Sequence, residues 1–410
     1  MREALFKDGR RLLEDLLAQA DLRLADNASR PGEKCHPGRK LQMRSLFGPV
    51  TLWRNYFYDP LAGTGRFALD EALGLVESFS PALVRLASHA AAREGYEAAS
   101  VDLAALAAVQ IEGRQIHRLV NLVAPQVSAQ LEQGQNTQER AIPILYVEAD
   151  ATGVPMVPEE LAGRKGKQPD GSSKTREVKL GCVFTQTRTD EETGLPVRDF
   201  NSTTYVGSFE TAAEFGRRLR EEARRRGLGR AGKVVFLGDG AAWVWELARV
   251  NFPWATLIVD LYHALERLHQ LCQGLYAGQL AWTRRMEEHW KGLLQQDQVG
   301  EVIAAARRRL VDLGSQPDDT LEKQIAYFEN QQERMLYQTY REQGLFCGSG
   351  VIEAGCKAVI GQRLKESGMF WTEAGATSVL TLRCALKGNR WDECWDRLHD
   401  SHRLKIRPAA

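Results

Sequence analysis

The chain has 410 residues, 43% of them hydrophobic and 26% charged, and a formal net charge of +1. That length allows two or three domains with buried cores, and the composition excludes a disordered or collagen-like chain. No run of 18 apolar residues occurs and the N-terminus is charged throughout, so neither a membrane span nor a secretory leader is expected.

In chain order, residues 1–67 read as an N-terminal helix followed by a small hairpin element. The charged segment MREALFKDGRRLLEDLL is helical in pattern, NASRPGEKCHPGRK reads as a polar loop, and MRSLFGPVTLWRNYFYDP alternates like two strands. Residues 68–137 are alanine-rich and helical. Within them, YEAASVDLAALAAVQIEGRQIHRLVNLV outlines two helices joined at Val109–Gly113. Such a pair is either a packing unit or a helix-turn-helix. In the second case the helix at about Gly113–Val123 would bring Arg114, Gln115 and Arg118 to a DNA major groove. The polar stretch EQGQNTQERAIP reads as a linker.

Residues 138–263 then switch to alternating strands and helices. ILYVEADAT, VKLGCVFTQT, TTYVG, KVVFLGDGA and ATLIVDLYH are strand-like, while FETAAEFGRRLREEARRRGLG and AAWVWELARVNFP are amphipathic helices. The order β-β-β-α-β-α-β-α predicts an α/β fold with a mixed sheet. Residues 264–345 are helical, with Trp282, Trp290, Tyr327 and Tyr337 spaced as packing aromatics. Residues 346–410 open with GSGVIEAGCKAVIGQRLKESG and continue as helices. Seven cysteines occur, none in a C-x-x-C pair, which excludes a zinc ribbon and fits a reducing, cytoplasmic setting.

The chemistry is carried by acids. Asp150, Asp239 and Asp260 each end a strand-like apolar run, a costly place for an unpaired carboxylate. A set of three calls for a partner that stabilises clustered negative charge, and Mg²⁺ or Mn²⁺ is the usual one. Glu353, in the first turn after a glycine-bracketed loop, would complete a two-ion site able to activate a water or a 3′-hydroxyl. Lys357 follows one helical turn later, with Ile360 and Leu364 expected to anchor that face and Arg363 and Lys365 to meet backbone phosphates. The basic loop RKGKQPDGSSKTREVK adds Lys174 and Arg176 as expected DNA-backbone contacts.

The ordered set DATG, GDGA, DLYH and GSGVIEAGCKAVIGQRLKESGMFW resembles a DDE transposase with a ribonuclease-H-like core. It is similar to bacterial insertion-sequence transposases related to the Mutator superfamily, most closely the ISKra branch. That branch carries Asp or Cys, two residues, then His between its second Asp and its Glu. Asp260-Leu261-Tyr262-His263 matches it, within a resemblance running from about Phe47 to His399. The resemblance implies that Asp150, Asp239 and Glu353 bind two Mg²⁺ (or Mn²⁺) ions, with Asp260 and His263 as accessory active-site residues. It also implies an all-helical insertion at 264–345, transposon ends and target DNA as partners, and a homo-oligomer in the synaptic complex. Relatives often carry paired cysteines ahead of the helical region. Here RNYFYDPLAGTGRFALDEALGL has none, so no N-terminal zinc site is expected. A nuclease or resolvase without strand transfer, and a domesticated DNA-binding protein, are the alternatives.

Overall fold

The computed structural model describes residues 1–133, 141–166, 168, 171–314 and 319–403. It divides the chain into one unit of Met1–Gln133, Pro155–Glu160 and Gly361–Ala410, and another of Gly134–Val154 and Leu161–Ile360. The expected grouping of 346–410 with the α/β core is therefore divided at Gly361. The expected linker falls largely on residues 134–140, and Lys167 and Asp170 of the basic loop likewise lie outside the described residues.

In the first unit, helix Arg2–Asn27 lays Leu17 and Leu24 on Met43, Val50 and Leu52 of an antiparallel sheet. The sheet comprises β1 (Lys34–Ser45), β2 (Gly48–Asp59) and β3 (Thr64–Phe67), in that order. The expected hairpin is present but longer, because β1 begins inside the stretch read as a polar loop. Its first seven residues are all exposed and its register slips between His36 and Arg39, so no buried alternation announces it.

Helices Pro81–Arg93, Tyr96–Ala107 and Gly113–Gln133 follow, and the expected break between the last two is present. The third runs on through Pro125, beyond the expected Val123. It buries Ile116, Leu119, Val120, Val123 and Val127 against its two predecessors and against helices Glu373–Lys387 and Trp391–Arg403. This 3–4 spacing is the apolar stripe of a core helix.

Arg363 corrects an expectation in this unit. It is fully buried rather than turned to phosphate, and its Nε donates to the carbonyl of Ala91 at 2.9 Å. Arg383, also buried, donates to the carbonyl of Ala92 at 2.5 Å. Both carbonyls lie in the last turn of helix Pro81–Arg93, where no intrahelical donor remains and positive charge is favoured. The Arg363 guanidinium also lies over the rings of Tyr96 and Trp371, 5.2 and 5.1 Å from their centroids.

The second unit is mixed α/β. Its sheet contains β4 (Ile142–Pro155), β5 (Thr175–Gln186), β8 (Thr204–Ser208), β9 (Ala231–Gly238) and β10 (Thr256–Val259), with a small hairpin β6 (Arg188–Thr189)–β7 (Pro196–Val197) between β5 and β8. The order across the sheet is β10-β9-β4-β5-β8. β9 runs parallel to both neighbours, and β5 antiparallel to β8. β5 is buried without interruption from Val178 to Gln186, as a strand covered on both faces should be.

Helix Ala212–Arg225 starts with a Thr211–Glu214 capping box, and helix Ala242–Asn251 stops two residues before Pro253. The helical stretch comprises Leu261–Leu275, Leu280–Gln295, Val299–Asp312, Asp319–Gln331 and Tyr337–Glu342. Trp290 and Tyr337 are buried as expected, whereas Trp282 is half-exposed beneath Arg285. Among the described residues no helix is long and apolar enough to cross a membrane.

Candidate active site

The last paired residues of β4 and β9 are Glu148 and Leu237. Two residues beyond each stand Asp150 and Asp239, so parallel pairing brings them to the same level of the sheet. Asp239 directly follows β9 and Asp260 directly follows β10, as the sequence indicated. Asp150 does not end its strand, because β4 continues to Pro155. It is the neighbour that ends, which opens one side of β4 at that level.

The turn after β9 is built for Asp239. Its Oδ1 accepts from the Ala241 amide at 2.9 Å, and its carbonyl accepts from the Tyr327 hydroxyl at 3.1 Å. Gln331 Nε2 donates to the Gly240 carbonyl at 3.1 Å. Gly240 has φ +99°, and a Cβ there would stand 2.6 Å from the Tyr327 ring. Gly240→Ala should therefore destabilise the protein by about 1–3 kcal/mol, through backbone strain and displacement of Tyr327. A chemical denaturation curve unchanged from wild type would refute this.

Asp260 is fully buried and caps helix Leu261–Leu275. Its Oδ1 accepts from the His263 amide at 2.7 Å and lies 3.2 Å from His263 Nδ1, while Oδ2 accepts from the Ser349 amide. Glu353 sits in the short helix Gly350–Gly355. Its Oε1 is 3.8 Å from His263 Nδ1 and accepts from Ser349 Oγ at 3.3 Å. The chain then widens into a π-helix, Cys356–Gly361, a feature often found at functional sites. Cys356 Sγ donates to Asp150 Oδ2 at 3.4 Å, which ties the Glu353 segment to β4.

Electrostatics follows this crowding. Burial raises the Asp150 pKa and the Asp239 charge adds to it, against hydrogen bonds from Ala151 and Cys356. Burial would also raise Asp260, but hydrogen bonds from His263 and Ser349 outweigh it and hold the carboxyl below its usual range. The Asp260 hydrogen bond leads the causes that push His263 up to about 9, helped by the charges of Asp239 and Glu353. His263 is thus an imidazolium at neutral pH.

Among the described residues, Asp260, His263 and Glu353 form a group whose ligand atoms lie within 4.8 Å of one another. The expected trio of Asp150, Asp239 and Glu353 is not drawn that close. In the tighter group, however, both Asp260 oxygens are engaged by N–H donors and His263 Nδ1 faces a carboxylate. Asp150, Asp239 and Glu353 supply the oxygen donors that a hard divalent cation takes, and the repulsion of Asp150 by the Asp239 charge is what such an ion offsets. The donor chemistry fits.

The sequence profile of UPF0236, described as an uncharacterised protein family, matches residues 1–396. The chain belongs to the UPF0236 family. No curated protein matches it. Among solved structures, the Drosophila P element transposase strand transfer complex aligns over 78% of this chain and 81% of that one, with 10% identity and a TM-score of 0.27.

In this UPF0236 chain, sequence reasoning missed Glu148. It is fully buried on β4, and burial pushes its pKa up to about 8. Oε2 accepts from the Ile352 amide at 2.7 Å and from Cys182 Sγ at 3.7 Å, while Oε1 is buried without a hydrogen-bond partner among the described residues. The signal was present in VEAD, where the two-residue period of a strand puts Glu148 and Asp150 on one face.

The expected DNA contacts are differently placed. Arg114, Lys174, Lys357 and Lys365 are exposed. Gln115 Oε1 accepts from Arg44 at 2.8 Å, Arg118 pairs with Glu77, and Arg176 lies 5.6 Å from the Phe209 ring centroid. The UPF0236 chain keeps Lys357 near Glu353 in sequence, but the π-helix in between alters the regular helical phase expected for the pair.

Proposed function

We propose that the chain is a DNA transposase of the DDE type with a ribonuclease-H-like core, from the ISKra branch related to the Mutator superfamily. It cleaves and joins DNA strands at the ends of an insertion sequence. The observation that carries this reading is convergence. Five residues singled out from four separate stretches, Asp150, Asp239, Asp260, His263 and Glu353, share one neighbourhood at the ends of β9 and β10. A mixed sheet whose first strand is central and carries the first aspartate is consistent with it.

In this reading Asp150, Asp239 and Glu353 hold two Mg²⁺ or Mn²⁺ ions. When bound, such ions activate a water or 3′-hydroxyl and stabilise the leaving oxygen of a phosphodiester. Asp260 fixes the ring of His263, whose second nitrogen is the donor left for a phosphate oxygen. Cys356 donates to Asp150 and restrains it. Exposed Lys174, Lys357 and Lys365, with Arg176, supply positive charge for the DNA backbone, and two or more copies act together on paired ends.

The deciding experiment mixes purified protein, Mg²⁺ or Mn²⁺, and the DNA ends flanking its own gene. Cleaved and joined products are expected. Cleavage without joining would leave a nuclease or resolvase, and no cleavage with either ion would overturn the reading. Neutralising Lys174 and Arg176 together should weaken binding to all sequences alike and reduce the slope of log K against log salt by about 2. An unchanged slope would remove both residues from the interface.

A further inference from the structure

The segment that carries Glu353 has few regular hydrogen bonds of its own. Helix Gly350–Gly355 spans less than two turns, and its N-cap residue Ser349 makes no side-chain capping bond to the helix backbone. Short helices leave their first amides without intrahelical partners. Here two N–H groups of this first turn reach buried acidic side chains from the sheet, that of Ile352 being shared with the Ser349 carbonyl at 3.0 Å. Asp260 Oδ2 accepts from Ser349, and Glu148 Oε2 accepts from Ile352, the residue before Glu353.

Both acids are fully buried. They come from different strands, Glu148 from β4 in the centre of the sheet and Asp260 from the end of β10. The approach to the helix is fixed in the same way. Gln186 Nε2 donates to the Gly344 carbonyl at 2.9 Å, Tyr146 Oη accepts from the Phe346 amide at 3.2 Å, and the Leu261 amide donates to the Cys347 carbonyl at 2.8 Å. From Gly344 to Ile352 the backbone is thus held at five points by the sheet and the helix that follows it.

We propose that Glu148 and Asp260 are positioning residues, a pair of buried acidic side chains that grips the first turn of the Gly350–Gly355 helix and aims Glu353 into the site. Neither touches substrate; each acts through the backbone just ahead of Glu353. Asp260, held below the usual carboxylate range, accepts its amide as a charged group, more strongly than a neutral acceptor would, and Glu148 contributes a fixed acceptor oxygen. The inference rests on the reading of Glu353 as a ligand at the reacting centre, because only then does its aim matter for chemistry. Asp260 thereby has two tasks, orienting His263 with one oxygen and the Glu353 helix with the other.

The test uses the full chain and two independent readouts. The first is amide hydrogen exchange resolved to single residues by fragmentation mass spectrometry. Glu148→Ala should speed exchange at Ile352 by about tenfold, and Asp260→Ala should do the same at Ser349. Glu148→Gln keeps an acceptor oxygen and should stay near wild type. Glu148→Leu fills the site without an acceptor and replaces Glu148→Ala if that variant fails to fold.

The second readout is Mn²⁺ affinity, followed by the electron paramagnetic resonance signal of the free ion. Glu148→Ala should weaken it about tenfold, the scale of lost outer-shell support. The Glu148→Ala/Glu353→Ala double variant should bind no more weakly than Glu353→Ala alone, since one residue acts through the other. Unchanged exchange at Ile352 in both Glu148→Ala and Glu148→Leu, or additive losses of Mn²⁺ affinity, would overturn the proposal. If Glu353→Ala binds Mn²⁺ as wild type does, the assigned role of Glu353 fails, and the exchange data alone still judge the clamp.

Discussion

Replacing Glu353 by glutamine should lower Mg²⁺-dependent DNA cleavage by about three orders of magnitude while leaving the folded state and end binding intact. The Glu353 side chain is 39% exposed, and among the described residues its direct side-chain hydrogen bond is the long one from Ser349 Oγ. Glutamine keeps the shape and an acceptor oxygen, so no buried donor is orphaned and the thermal midpoint should barely move. What glutamine removes is the charge, on which any role as a cation ligand depends. Asp150→Asn and Asp239→Asn should lose comparable activity, with gel-shift affinity for the same ends as the control. Cleavage by Glu353→Gln within about tenfold of wild type would exclude it as a ligand.

The largest expected effect on stability lies in the other unit. Arg363→Ala should cost about 3–5 kcal/mol, read as a lowered midpoint in urea unfolding. Three losses add up. The Ala91 carbonyl loses its donor, the space over the Tyr96 and Trp371 rings is vacated, and the end of helix Pro81–Arg93 loses a nearby positive charge. Arg363→Lys should also destabilise, because an ammonium on a flexible stem lacks the delocalised, weakly hydrated cation that lies over both rings. Arg363→Met, with a stem of similar volume, should lose less than alanine. An Arg363→Ala protein that unfolds at the wild-type urea concentration would refute this account.

Arg363 also shows where the sequence stops being legible. From Glu353 onward the spacing was read as a regular helix with its basic residues turned to phosphate. The π-helix Cys356–Gly361 changes the phase, and nothing local in GCKAVIG announces it. The carbonyl that claims Arg363 belongs to Ala91, 272 positions earlier, beyond any spacing rule. By contrast β4, β5, β9 and β10 were readable, because strands buried on both faces leave unbroken apolar runs. The opening half of β1 was not, since an exposed strand has no apolar period.

The candidate site was partly legible for a related reason. An aspartate closing an apolar run is conspicuous, which exposed Asp239 and Asp260. Glu148 was passed over beside Asp150, although the strand period links them. That Glu353 sits nearer to Asp260 and His263 than to the first two aspartates depends on how Ser349 and Ile352 dock on the sheet. Those contacts join residues 89 and 204 positions apart.

The sheet order has a consequence for the timing of synthesis. β4 is made first among its strands yet sits in the middle, and its parallel neighbour β9 is made only after β5 and β8. Glu353 emerges roughly 200 residues after Asp150, which at a typical elongation rate is on the order of 10–40 seconds. Throughout that interval a nascent chain holds the first aspartate without the last member of its set. A product truncated by premature termination before Gly350 would carry the exposed basic residues of the Lys174 loop but no complete carboxylate set. On the proposed function, such a fragment is expected to bind DNA without cutting it.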